Sequence, residues 1–268
     1  MTTLTLTKHH GLGNDFLVVF HPGDVDLPEL ARQVCDRRRG IGADGLLVGE
    51  SHPELAAEMT LYNADGSRAE MSGNGIRCFA QALAARRGSG TAPLRLMTDA
   101  GARSIELAET DDPATISASV DMGPVESLGA PAGWAALGAH PDRPVAHLGV
   151  GNPHTVVGVD DVAGVDLAAL GRQLPDVNLE IIHPGPEPNA VTMRVHERGV
   201  GITEACGTGA CAAAWAATHW GLVAAGTSEL VVHMDGGRAT VALDQPEPGR
   251  VTLTGPATYV ATIEIPCP

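Results

Sequence analysis

The residues best placed to do chemistry lie in the stretch Glu204-Ala205-Cys206-Gly207-Thr208-Gly209-Ala210-Cys211, which runs into Ala212-Ala213-Ala214-Trp215-Ala216-Ala217. A thiol precedes a Gly-Thr-Gly turn, and the turn opens an alanine-rich helix. Glycine lets the backbone bend sharply and approach a ligand. The N–H groups of a first helical turn lack partners within the helix, and the positive end of the helix dipole adds to their pull on an anion. The same helix end favours thiolate over thiol. The stretch therefore reads as a reactive cysteine beside a small-anion cradle. The alternative is a structural cysteine, buried next to a glycine-opened helix.

A second copy of this pattern lies upstream. Ser72-Gly73-Asn74-Gly75 leads through Ile76, Arg77 and Cys78 into another alanine-bearing helix ending near Ala84. Gly151-Asn152-Pro153-His154 stands where Gly13-Asn14-Asp15-Phe16 stood. Glu197-Arg198-Gly199 precedes Cys206 by the same nine residues that separate Asn63 from Ser72. The offsets are 138 residues from Asn14 to Asn152 and 134 from Ser72 to Cys206. One internal repeat predicts two related halves of mixed strands, each around a buried alanine-rich helix. The expected boundary is near Met122, giving 1–122 joined by the tail from about 257–268, and 123–256. Such halves are expected to bring the two helix N-termini face to face across one cleft.

The elements that position these turns follow from turn signals and hydrophobic spacing. Residues 1–20 predict a strand, a turn over Gly11–Asp15, and a strand over Phe16–Phe20. Leu27–Arg38 has helical spacing, and the run Arg37-Arg38-Arg39-Gly40 reads as a solvated helix end closed by glycine rather than an anion site. Strands are expected at Leu46–Val48, Met59–Tyr62, Leu94–Met97, Ser104–Leu107, Thr115–Val120, Thr192–His196 and Tyr259–Ile265. Met122-Gly123-Pro124 is expected to break the pattern, with loop to about Pro144. Asp166–Leu174 is expected to be helical.

Composition narrows the function. The chain has 268 residues, 44% of them hydrophobic, and a mean hydropathy of +0.05, with no apolar run near the roughly 20 residues of a transmembrane helix. Its start alternates like a strand and lacks a signal peptide's charged and apolar regions. The net charge of −15 argues against nucleic acid and anionic membranes as partners. Five cysteines without a disulfide-framework spacing suit a reducing compartment, so the expected location is cytoplasmic. Cys206 and Cys211 lack a CxxC spacing or a nearby histidine, and no metal is expected. Lys8 is the single lysine, in an N-terminal strand, an awkward place for a pyridoxal Schiff base; amino-acid chemistry here is expected to use no cofactor.

Two opposed helix N-termini would hold a carboxylate, and residues 72 and 206 would flank the atom beside it. That arrangement suits proton exchange at the α-carbon of an amino acid, with a base on one face and an acid on the other. A carboxylate held in a dry pocket also stabilises the developing carbanion. Glu197 suits an ammonium group and Arg198 a second carboxylate, whereas without the adjoining motif the two would read as a surface ion pair.

These motifs resemble those of the diaminopimelate epimerases, two-base amino-acid epimerases that use no cofactor. The resemblance spans nearly the whole chain. It rests on His10-Gly-Leu-Gly-Asn14-Asp-Phe, Asn63-Ala-Asp-Gly-Ser, Gly73-Asn-Gly-x-Arg-Cys, Gly151-Asn-Pro-His154, Val177-Asn178, and Glu197-Arg-Gly with Ala205-Cys-Gly-Thr-Gly-Ala-Cys. It implies an α+β fold of two pseudo-symmetric halves, each a barrel-like mixed sheet around a central helix, in a homodimer. It implies interconversion of LL- and meso-diaminopimelate, a lysine and peptidoglycan precursor. Cys206 would be one catalytic base, and His154 would sit near the reacting centre. Gly73, Asn74, Gly207 and Thr208 would hold the α-carboxylate through backbone N–H groups, and Glu197 the α-ammonium. Asn14, Asn63, Asn152, Asn178 and Arg198 would surround the distal end.

The chain departs from the family where the other catalytic cysteine belongs, immediately before Gly-Asn-Gly, because that residue is Ser72. Cys78 lies six residues on and reads as core. A serine hydroxyl is a far poorer base than a thiolate unless activated. Three explanations stand. Ser72 is an engineered replacement, or a native residue relaying protons slowly, or the mark of another cofactor-free racemase or a one-base dehydratase of the proline-racemase type. A non-enzymatic binding protein using the same cleft is a further class. Gly45 replaces a glutamine common in relatives, and Ile202 replaces an acid, two changes that bear on substrate contacts or the cleft wall.

Overall fold

The computed structural model describes residues 3–138 and 140–267. Met1, Thr2, Ala139 and Pro268, counted above in the first strand, the loop before Pro144 and the tail, lie outside the described residues. The chain divides into two compact units, Met1–Val120 with Gly255–Pro268, and Asp121–Thr254.

In the first unit, β1 (Thr3–Gly11) and β2 (Asn14–Phe20) form a hairpin across Leu12 and Gly13. Both linkers have positive φ, 56° and 86°, the backbone shape that matches strand twist. The turn is thus two residues long, and Asn14 and Asp15 belong to β2 rather than to the turn. α1 (Leu27–Cys35) starts at Asp26, whose carboxylate accepts the Glu29 N–H at 3.0 Å. It stops three residues before the expected Arg38. Asp36 leaves the helix, and its carboxylate accepts the N–H groups of Arg38 and Arg39 at 2.7 and 2.8 Å, closing a turn instead.

β3 (Gly45–Glu50) lies parallel to β2, β4 (Ala57–Asn63) antiparallel to β3, and the two-residue β5 (Arg68–Ala69) against β4. α2 (Gly73–Arg87) connects β4 to the parallel β6 (Leu94–Thr98), followed by β7 (Gly101–Glu109) and β8 (Thr115–Pro124). Met122-Gly123-Pro124 therefore continues a strand. Its proline is the last strand residue, where a missing N–H does little harm.

The second unit repeats the order. A short β9 (Glu126–Ser127) and a 3-10 turn at Trp134–Leu137 occupy part of the expected loop. β10 (Val145–Gly149) and β11 (Pro153–Gly158) form a hairpin. α3 (Leu167–Gly171) leads to β12 (Asn178–Pro184), parallel to β11. β13 (Ala190–Glu197) returns antiparallel, with β14 (Gly201–Thr203) on its end. α4 (Gly207–His219) then connects β13 to the parallel β15 (Glu229–Met234), before β16 (Gly237–Leu243) and β17 (Arg250–Pro266). α3 is shorter than the expected 166–174.

β17 belongs to the second unit up to Thr254 and to the first from Gly255, where it pairs with β1 from Thr3↔Pro266 to His10↔Thr258. The fold is α+β, two halves of matching element order, each a mixed barrel-like sheet around a central helix, as the repeat predicts.

Enclosure follows from the helix sequences. α2 is buried from Gly73 to Ala84, and α4 from Gly207 to Ala214. A helix buried on all sides must be enclosed by strands, and alanine keeps it slim enough to fit among them. The polar residues inside α2, Asn74, Arg77 and Gln81, are hydrogen-bonded. In α2, Phe79 is fully buried with its ring 5.3 Å from that of Phe20.

Candidate active site

α4 begins at Cys206. The residue is extended (φ −129°, ψ 115°), and its sulfur accepts the Gly209 N–H at 3.4 Å, so the thiol caps its own helix. The Thr208 hydroxyl lies 3.5 Å from the same sulfur. Burial, and then the charges of Glu197 and Glu180, push the thiol well above its ordinary range, while the bonds from Thr208 and Gly209 pull the other way. The helix end favours thiolate as expected, through the Gly209 N–H, but it is not the largest influence. Desolvation and the charges of Glu197 and Glu180 outweigh the pull of the helix end on this sulfur.

Glu197 ends β13 beside the turn that leads to β14. Burial holds its carboxyl above the usual carboxylate range, and Glu180 repels in the same direction. The Thr203 hydroxyl donates to it. His154, on β11, is fully enclosed. Its Nδ1 lies 2.6 Å from Glu180 Oε1 and its Nε2 lies 2.8 Å from Asn152 Oδ1. Asn178, at the start of β12, donates from Nδ2 to the Pro153 carbonyl (3.0 Å) and accepts the Arg198 N–H (2.9 Å). It ties the beginning of β11 to the Glu197-Arg198 turn. The second unit thus brings together Asn152, His154, Asn178, Glu197, Arg198, Cys206, Gly207 and Thr208.

Glu180 belongs to this group and was missed in the sequence. The available signal was an acid inside the run Leu179-Glu180-Ile181-Ile182, every residue of which is buried. A carboxylate is seldom kept in such a strand without a partner.

α2 starts in the same way. Ser72 is extended (φ −138°, ψ 120°), and its hydroxyl accepts the Gly75 N–H at 3.0 Å. Its surroundings differ. Asn74 donates to Asn14 Oδ1 (3.1 Å) and accepts from the fully buried Arg77 (2.7 Å), while Asn14 donates to Asp44 (2.7 Å). Among the described residues no hydrogen bond places a base on the Ser72 hydroxyl. The first unit gathers Asn14, Ser72, Gly73 and Asn74. Asn63 lies at the end of β4, where its amide donates to Ser67 at 3.0 Å.

Further positions qualify the sequence expectations. Arg37 is exposed in the turn after α1, as a solvated helix end would be, and its guanidinium also takes Asp15 at 3.2 and 2.7 Å and reaches Asp44 at 2.6 Å. Burial would raise the Asp15 carboxyl, but the bonds from Arg37 and Lys8 hold it low. Cys78 is core, and burial pushes its thiol up to about 12. A Cβ on Gly45 would stand 2.8 Å from the Tyr62 carbonyl, so a larger residue there requires β4 to move. Ile202, on β14, is exposed.

Solved structures share this fold. A phenazine biosynthesis protein of the PhzF family from Bacillus anthracis matches with a TM-score of 0.75 at 16% identity, covering 99% of this chain and 100% of that one. A hydroxyproline epimerase from Agrobacterium vitis matches with a TM-score of 0.71 at 17% identity, covering 98% of this chain and 92% of that one. The class is that of two-unit α+β proteins with a helix at the centre of each unit.

Sequence narrows the class. The family profile described as Diaminopimelate epimerase matches residues 6–128 and 147–260. Proteins named diaminopimelate epimerase from Desulfitobacterium hafniense (37% identical, 96% of each chain) and Pseudomonas syringae pv. syringae (36% identical, 96% of this chain and 97% of that one) are similar along their length. The chain belongs to the diaminopimelate epimerase family.

Proposed function

We propose that this chain is an isomerase that interconverts LL- and meso-diaminopimelate by moving the α-proton without a cofactor. The observation that carries the proposal is the matched pair of helix starts, Ser72 and Cys206, each an extended N-cap accepting the N–H three residues on. Cys206 is the proton-transfer group of one start and Ser72 occupies the position of the other, with His154 beside the reacting centre. The first-turn N–H groups at Gly73, Asn74, Gly207 and Thr208 take the α-carboxylate. Glu197 takes the α-ammonium, whose positive charge relieves the repulsion that keeps Cys206 protonated. Asn14, Asn63, Asn152, Asn178 and Arg198 serve the distal end, the asparagines chiefly by fixing their neighbours. The assembly is a homodimer working in the cytoplasm; light scattering on the purified protein tests the first of these.

Ser72 makes the two faces unequal. A hydroxyl with no base on it is a poor proton acceptor, so exchange on the Cys206 face outpaces inversion. Incubation with LL-diaminopimelate in heavy water, followed by mass spectrometry and chiral separation, is expected to show α-deuterium with slower formation of the meso form. Ser72→Cys is expected to raise inversion by at least about 10²-fold, the lower range for a positioned general acid or base. No exchange at all would overturn the proposal. Release of a keto acid or of water would favour a second reading, a one-base dehydration, which the lone Cys206 thiol also suits.

A further inference from the structure

Glu180 has no part in the roles above, yet it is the one acidic side chain of the second unit that is fully buried among the described residues. Its Oε1 meets His154 Nδ1 at 2.6 Å, and its Oε2 has no hydrogen-bond partner. An enclosed carboxylate with a bare oxygen is unfavourable, and such groups recur at sites where charge has work to do. Its position relative to the thiol follows from Gly209. A Cβ there would stand 2.7 Å from Glu180 Oε1 and 3.3 Å from Cys206 Sγ. The two atoms are therefore no more than about 6 Å apart, close enough for one negative charge to oppose another. Glycine at 209 is what allows both to approach the first turn of α4.

We propose that Glu180 is a positioning residue for this reaction: it fixes His154 through Nδ1–H and, across Gly209, keeps Cys206 a thiol until a cationic amino group arrives. The inference rests on the activity proposed above. The charged groups that act on Cys206 are Glu197 on β13 and Glu180 on β12, and His154 on β11 acts in turn on Glu197 and bonds Glu180. The other titratable groups on strands packed against α4 lie elsewhere, and the ring of His196 on β13 lies against Gly171 of α3. Arg194 pairs with Asp235 and His233 with Glu187, His183 and His147 bond Val162 and Thr155, and Arg238 and Glu229 are exposed. Glu180 and Glu197 are thus the anions that act on the thiol, and Glu180 is the one that also holds the histidine.

The test is the titration of Cys206, read as ultraviolet thiolate absorbance of each protein minus that of its Cys206→Ser counterpart. Glu180→Gln keeps the shape and removes the charge, so the thiolate fraction below the midpoint is expected to rise at least about tenfold. Glu180→Asp is expected to titrate near the parent. An unchanged midpoint in Glu180→Gln, or equal shifts in the Gln and Asp variants, would overturn the inference. Nitrogen NMR of the parent, with His154→Gln for assignment, gives a second check that needs no Glu180 variant. The ring proton is expected on Nδ1, facing Glu180, and a bare Nδ1 would overturn the inference. Neither measurement uses substrate. A failed titration with α-deuterium exchange intact removes Glu180 alone; a shifted titration without exchange removes the activity alone.

Discussion

Arg77 offers the sharpest test of how α2 is fixed. The side chain is fully buried one turn into α2 and reaches back to the helix start, where it donates to the Gly73 carbonyl at 3.0 Å, the Asn74 side chain at 2.7 Å and the Pro256 carbonyl at 3.2 Å. Arg77→Met keeps most of the stem and removes every donor. Each buried acceptor left without a partner costs about 1–3 kcal/mol. Removing the guanidinium also removes the cost of burying its charge, an offset of a few kcal/mol. The expected net loss is about 3 kcal/mol, or roughly 6–12 °C in Tm for a chain of this size. Urea unfolding with an unchanged m-value would assign the loss to the native state. Arg77→Lys, which can serve some of the acceptors, is expected to fall between the two. A loss under about 1 kcal/mol in Arg77→Met would refute the claim that this cation organises the helix start.

Two other outcomes are expected. Phe79→Ala empties a fully buried site against Phe20 and should cost about 3–5 kcal/mol in the same unfolding experiment, with a loss near 1 kcal/mol speaking against tight packing there. Glu197→Gln should change the pH dependence of stability. Burial raises the folded-state value of Glu197 above that of the unfolded chain, so the folded protein holds this proton more tightly. The parent therefore loses stability as pH rises from about 4 through the folded value, and the glutamine variant does not. Melting curves of the two proteins across that range should diverge in favour of the glutamine variant; parallel curves would contradict the shift.

Both helix starts were legible because an N-cap followed by glycines is a local pattern, set by backbone geometry over four residues. The repeat was legible because Asn14 and Ser72 recur as Asn152 and Cys206 in the same order, at offsets of 138 and 134 residues. Strand extent was less so. β10, β11, β12, β15 and β16 were not placed from sequence, and β17 begins nine residues before the expected Tyr259. Long-range pairing decides where such strands start, and the alternation within a few residues does not carry it. The balance at Cys206 was legible only in part, for a similar reason. The helix dipole can be read locally, whereas Glu180 reaches the thiol only through β12 lying beside β11. Arg37 likewise found Asp15 and Asp44, 22 and 7 residues away.

The path of β17 has a consequence for synthesis. The segment Asp121–Thr254 contains every residue of the second unit, so that unit is complete once residue 254 has left the ribosome. The first unit, although made earlier, lacks the strand that pairs with β1 until Gly255–Pro266 emerges. Up to then β1 has β2 on one side and an open edge on the other, the kind of edge that recruits foreign strands. The half of the protein that is translated first is the half that closes last.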